Sequence, residues 1–291
     1  MLATSAVLTL LFTSAAMASE LDQEHPVQTT VSSQPMNYCD SYSQTFTVGK
    51  LGQLDKLSLY MMRSGAAGIT WVAIYSVDPE TGEPNTDSPW SSDEEPLSSQ
   101  EIPYTSIATS EFQWTDILLD KPVSVGPGER YAIVLWRTTE FQSCSDATSI
   151  TWGRDGSSLD GDYPGGESWY VHKERPGQWT HGSDQYFRTY VTPDTTAPTG
   201  TVLINNGDLR TSTRLVTLSL SATDPEPGSG VSQMRFKNRG TDTVWSAWQP
   251  YKSSRSWYLT PGEGTKRVAA QFKDAAGNRS APVYDYIIFR R

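Results

Sequence analysis

A chain of 291 residues with a formal charge of −10 can hold two domains of ordinary size, each with its own core. Ten Trp, fourteen Tyr, 22 Gly and 18 Pro argue against a helical protein and for short strands joined by turns. The charge is unevenly divided: residues 1–194 carry 10 Lys and Arg against 26 Asp and Glu, whereas residues 195–291 carry 13 against 7. The basic residues of the second part are scattered over alternating positions, so no nucleic-acid partner is expected.

Residues 1–18 read as a signal peptide. An apolar stretch at 7–12 is followed by Ala16-Met17-Ala18, an A-x-A cleavage pattern, although the usual basic residue before the apolar stretch is missing. The run is broken by Thr9, Thr13 and Ser14 and is shorter than the ~20 residues a span needs. No other stretch is long and apolar enough, so the mature chain is expected to lack a membrane span and to be secreted or held at the cell surface. In that setting Cys39 and Cys144 are expected to form one disulfide. Residues 19–37 are polar and without periodicity, and read as a disordered N-terminus.

Residues 38–192 show strand patterns at 44–48, 54–62, 69–77, 112–118, 131–136, 149–152, 168–172 and 186–191. Leu57 and Leu59 share one parity, Tyr60 and Met62 the other, and ITWVAIYSV at 69–77 is a mixed apolar run. Turn signals such as Gly126-Pro127-Gly128 separate these strands. So many short strands over this length predict a jelly-roll-like β-sandwich. Residues 78–101 form an insertion with eight carboxylates and no Lys or Arg, read as a solvated loop.

Residues 193–200, PDTTAPTG, are the linker. It joins an acidic part to a basic one, so the two should attract and the joint should be bent rather than freely swinging. Residues 201–291 then carry seven strand patterns, at 201–204, 215–222, 231–236, 244–248, 256–259, 267–272 and 283–289. Seven strands at this size predict an immunoglobulin-like β-sandwich. Its core is expected to contain Val216, Leu218, Leu220, Met234, Phe236, Trp257 and Phe272.

The second domain resembles the immunoglobulin-like repeats of bacterial and archaeal surface proteins. The residues that carry this include Thr196-Ala197-Pro198, Gly228-Ser229-Gly230-Val231, Trp245-Ser246-Ala247-Trp248 and Phe272-Lys273-Asp274-Ala275-Ala276-Gly277-Asn278. The first domain resembles the choice-of-anchor type of β-sandwich in exported microbial proteins. Its marks are Leu57-Ser58-Leu59-Tyr60, Val72-Ala73-Ile74-Tyr75, the run GERYAIVL at 128–135, Trp152-Gly153 and Phe187-Arg188-Thr189-Tyr190-Val191. The resemblance implies an extracellular display or binding domain and assigns no catalytic residue.

No Gly-x-Ser-x-Gly elbow and no phosphate-binding Gly loop is present. Tyr170, His172, Arg188 and Tyr190 supply the residue types of a jelly-roll lyase without a motif around them. The more suggestive constellation is the stretch 152–169. Asp155, Asp160 and Asp162 sit in a Gly- and Ser-rich loop flanked by Trp152, Tyr163 and Trp169. Oxygen-rich loops suit Ca²⁺, the one cofactor the sequence suggests. Aromatic faces beside carboxylates suit sugars, whose C–H faces stack while their hydroxyls bond. A solvated loop and core tryptophans explain the same residues. In the second domain Asp224 and Asp274 end strands that meet at one pole, where they can share a Ca²⁺ with Asn278 or simply cap turns. Trp245 and Trp248 are expected to divide between core and a surface covered by Arg or Lys.

The expected function is a non-catalytic binding or adhesion protein that recognises glycan or another surface protein. The alternatives are a structural spacer or coat component and a polysaccharide-active lyase or hydrolase.

Overall fold

The computed structural model describes residues 18–28, 31–32, 35–65, 68–90, 94–138, 149–156, 163–226, 228–239 and 244–291. The protein is all-β, and its regular elements among the described residues are strands apart from two short 3₁₀ turns. Among the described residues no helix is long and apolar enough to cross a membrane. The signal-peptide residues 1–17 and Cys144 lie outside the described residues; Cys39 is buried, and no described cysteine is a free thiol.

The first domain is a sandwich of two antiparallel sheets. One is centred on the 13-residue strand Gly52–Ser64, which pairs with Gln113–Val125 along one edge and with Phe187–Pro193 and Ser149–Trp152 along the other. The second sheet runs in the order Thr180–Gly182, Ser168–His172, Asp40–Thr47, Arg130–Thr138, Ile69–Ser76, Ser98–Ile102. Strand alternation sends one parity of each strand into the space between the sheets. Leu57, Leu59 and Met61 therefore meet Phe46, Val72, Ile74, Ile133 and Leu135 in a single core.

The sheet containing Ile69–Ser76 is apolar on both faces. Its outward parity carries Trp71, Ala73 and Tyr75, and that of the neighbouring strand carries Ala132, Val134 and Trp136. These residues form a separate cluster with Trp169, Val171 and Trp179. A strand buried on both faces loses polar alternation, which is why 69–77 reads as a mixed apolar run. The cover comes from the acidic insertion, which is more than a solvated loop. Val77 bridges Pro84, Thr86 is buried, and the Trp179 indole donates to the Thr86 carbonyl at 2.7 Å.

The N-terminal segment expected to be disordered contains a strand. Glu20–His25 pairs antiparallel with Phe187–Pro193, and His25 is 2% exposed, flanked by the rings of Tyr163 and Tyr186. As the edge of its sheet this strand carries charged residues, and such edges show no apolar periodicity.

The second domain is an immunoglobulin-like sandwich. Thr199–Ile204, Leu215–Thr223 and Ser254–Tyr258 form one sheet. Arg210–Thr211, Val283–Phe289, Gly264–Asp274, Val231–Arg239 and Gln249–Pro250 form the other, with Arg210–Thr211 parallel to Val283–Phe289. The expected core residues are buried between the sheets, Trp257 only partly. Gly277 at φ 96° turns the loop between the last two strands, a conformation that favours glycine.

The strand expected at 244–248 does not form. Its tryptophans serve a different purpose: the Arg235 guanidinium lies 4.8 Å from the Trp245 ring centre and 4.4 Å from that of Trp248. Neither ring enters the core, so both are covered by cations on the surface. The linker is also shorter than the composition of 193–200 implies. Pro193 ends one strand and Thr199 begins the next, leaving residues 194–198 between them.

Candidate functional site

The stretch expected to offer aromatic faces does not do so among its described residues. Trp152, Tyr163 and Trp169 are 2%, 8% and 3% exposed. Trp152 and Tyr163 belong to the core between the sheets, and the Trp152 indole donates to the Tyr186 carbonyl at 2.9 Å. Trp169 lies in the outer cluster against His181. The three rings face inward, and a buried face cannot stack on a ligand. Asp155 is also buried, with a carboxylate oxygen 4.0 Å from His25 Nε2, and Asp160 and Asp162 lie outside the described residues. Tyr170 and His172 belong to one sheet, Arg188 and Tyr190 to the other, and Arg188 is engaged by Glu24 at 2.7 Å.

An open aromatic cleft occurs instead on the outer face of the first sandwich, with a volume of about 730 Å³. Its floor is the cross-strand pair Trp71 and Trp136, whose register places them directly opposite each other. Their ring centres are 6.1 Å apart and their planes differ by 15°. Trp136 is nearly covered, whereas Trp71 is half-buried and presents ring surface to the cleft. Trp90 forms part of the wall and is fixed by its indole donating to the Arg137 carbonyl at 3.0 Å.

The polar groups converge on the rim. Glu94 and Glu95 come from the acidic insertion and are exposed; a Glu94 oxygen accepts the Asp87 N–H at 3.1 Å. Lys173 and Tyr38 also line the cleft, and the Lys173 ammonium donates to the Tyr38 hydroxyl at 2.6 Å and lies 4.3 Å from that ring's centre. Burial pushes the Tyr75 phenol up, a hydrogen bond with Thr86 opposes this, and the Glu94 carboxylate adds to it. Tyr75 is therefore a neutral hydroxyl at physiological pH. The arrangement offers flat apolar surface with carboxylate acceptors and an ammonium donor around it.

Sequence reasoning missed this cleft because Trp71 and Trp136 lie far apart in the chain and meet only through strand register. The signal available was the unusual apolar outward parity of both strands.

The two sandwiches and this cleft define an all-β protein with a ligand-sized aromatic surface. No family model matches the chain, and no curated protein does. Among solved structures it is similar to the fibronectin(III)-like modules of Clostridium thermocellum CbhA, at 11% identity and a TM-score of 0.28, over 90% of this chain and 93% of that one.

Proposed function

We propose that this protein is an exported, non-catalytic binding protein whose ligand is carbohydrate, held in the cleft above Trp71 and Trp136. The observation that carries this reading is the stacked indole pair under a carboxylate-bearing rim. A pyranose places its C–H face on an indole while its equatorial hydroxyls reach Glu94, Glu95 and Lys173. The sheet beneath is packed on both faces, so the indole pair is held in place by its neighbours, which limits the ordering cost of binding. The resemblance of the first domain to exported display domains supports an extracellular setting.

The test is a glycan array followed by calorimetry on the full chain, each with and without calcium. Binding of an oligosaccharide with quenching of tryptophan fluorescence supports the proposal. Absence of glycan binding in both conditions overturns it.

A further inference from the structure

A second constellation lies where the linker enters the second domain. Asp194 follows the strand Phe187–Pro193, Asp224 follows Leu215–Thr223, and Asp274 ends Gly264–Asp274. One carboxylate oxygen from each lies within 4.8 Å of the other two. Oxygens bound to one Ca²⁺ sit about 2.3–2.6 Å from it, so they lie within about 5 Å of one another.

Three carboxylates alone do not make a site, because acids can be satisfied by turns, and each of these is partly satisfied in that way. Asp194 accepts the N–H groups of Thr196 and Ser229 at 2.9 and 2.8 Å. Asp224 Oδ2 accepts Gly230 N–H at 2.8 Å, and Asp274 Oδ1 accepts Asn278 N–H at 2.7 Å. The decisive observation is what remains. Asp274 is 1% exposed, yet its Oδ2 has no hydrogen-bond partner among the described residues, and Asp224 Oδ1 is also buried without one among them. None of the three acids forms a salt bridge among the described residues. The cations nearest in sequence, Lys273 and Arg279, lie over the Trp248 ring. Buried carboxylate oxygens without a donor or counter-charge carry a heavy desolvation cost.

We infer that Asp194, Asp224 and Asp274 form a binding site for a divalent cation, with calcium the best fit. The three acids supply only hard oxygen donors, which suits Ca²⁺ or Mg²⁺ and disfavours metals that prefer nitrogen or sulfur. They arrive from a linker and two loops, and Ca²⁺ tolerates such irregular geometry whereas Mg²⁺ demands near-ideal octahedra. The ion ties the linker to both loops. The Asn278 amide adds a further tie by donating to the Asp194 carbonyl at 3.1 Å. Bound calcium therefore fixes the angle at which the second sandwich leaves the first, a role the charge imbalance alone would fill only weakly at physiological salt. This inference is independent of the glycan proposal.

The experiment is a calcium titration of the full chain, read by calorimetry, by melting temperature and by sensitised terbium luminescence displaced by calcium. Saturation at roughly 100 times Kd should raise the melting transition of the second domain by on the order of 10 °C. Asp224→Asn is the variant of choice because Asp224 is not fully buried and the substitution is isosteric. It should melt at or above the wild-type temperature in chelator and lose the calcium-dependent rise and most terbium signal. Asp274→Asn repeats the test at the buried position, with circular dichroism reporting whether it folds. Terbium and calcium responses unchanged in a folded Asp224→Asn protein would overturn the inference, wherever else the ion binds. So would a wild-type protein with no heat and no melting shift in 10 mM calcium, a generous ceiling for weak extracellular sites of about 10⁻⁴–10⁻³ M.

Discussion

Trp71 and Trp136 face each other across two antiparallel strands on the outside of the first sandwich, with planes 15° apart. Outer faces of antiparallel sheets ordinarily carry polar side chains. Here the outer face carries an aromatic cluster, part covered by the acidic insertion and part left open as a cleft.

Removing the platform separates binding from stability. Trp71→Ala should weaken glycan binding at least about tenfold, as truncation of a central aromatic anchor does. The half-buried position limits the stability loss to about 1–3 kcal/mol. Trp71→Phe should recover part of the affinity. Calorimetry and thermal melts of the three proteins check this, and equal affinity in all of them would move the ligand elsewhere.

The N-terminal strand contributes to the first domain. His25→Ala removes a buried ring stacked at 5.9 Å on Tyr163 and set edge-on to Tyr186 at 5.0 Å. The expected loss is about 2–4 kcal/mol, in the range for large buried side chains. Chemical denaturation of the variant would show it as a lower midpoint with an unchanged slope.

Arg235 anchors two surface tryptophans of the second domain, and its Nε also donates to Gln271 at 2.9 Å. Arg235→Met should destabilise that domain by about 1–2 kcal/mol. Arg235→Lys should restore only part of this, because an ammonium cannot lie flat between two rings. Melting of the second transition gives the comparison.

Stability should rise as pH falls toward the unfolded carboxyl value near 3.8. Burial pushes the Asp184 carboxyl up, while the Gln44 amide and Tyr163 N–H oppose it; burial is also the leading cause of the raised Asp22 and Asp40 values. A carboxyl raised on folding favours the native state fully below its unfolded pKa near 3.8 and loses that contribution as pH rises through the folded value. Asp78 is shifted down by its turn hydrogen bonds, but it lies at the surface, where solvent screens its effect. The melting temperature should therefore be higher near pH 4, close to the unfolded value, than at pH 8. Asp184→Asn should flatten that slope, which distinguishes the buried acid from the relief of general repulsion at −10 net charge.

The amino-acid sequence by itself determined the all-β class, the two sandwiches and the core of the second. Alternation in 215–223 and 283–289 is local information, and a strand shows which parity it buries wherever one face meets water. The same logic fails where both faces are covered or where a strand lies at an edge. The run at 69–77 gave no hint of which tryptophan stays open, and the charged strand Glu20–His25 gave no strand signal. At 152–169 composition pointed to aromatic faces that folding placed inside, because residue type says nothing about which side of a turn faces solvent. Asp224 and Asp274 were already paired by their places at strand ends, but Asp194 joined them only through the path of the linker. Tertiary structure alone decided both the stacked indoles and the third carboxylate, since each depends on residues distant in the chain being brought together by strand register and sheet packing.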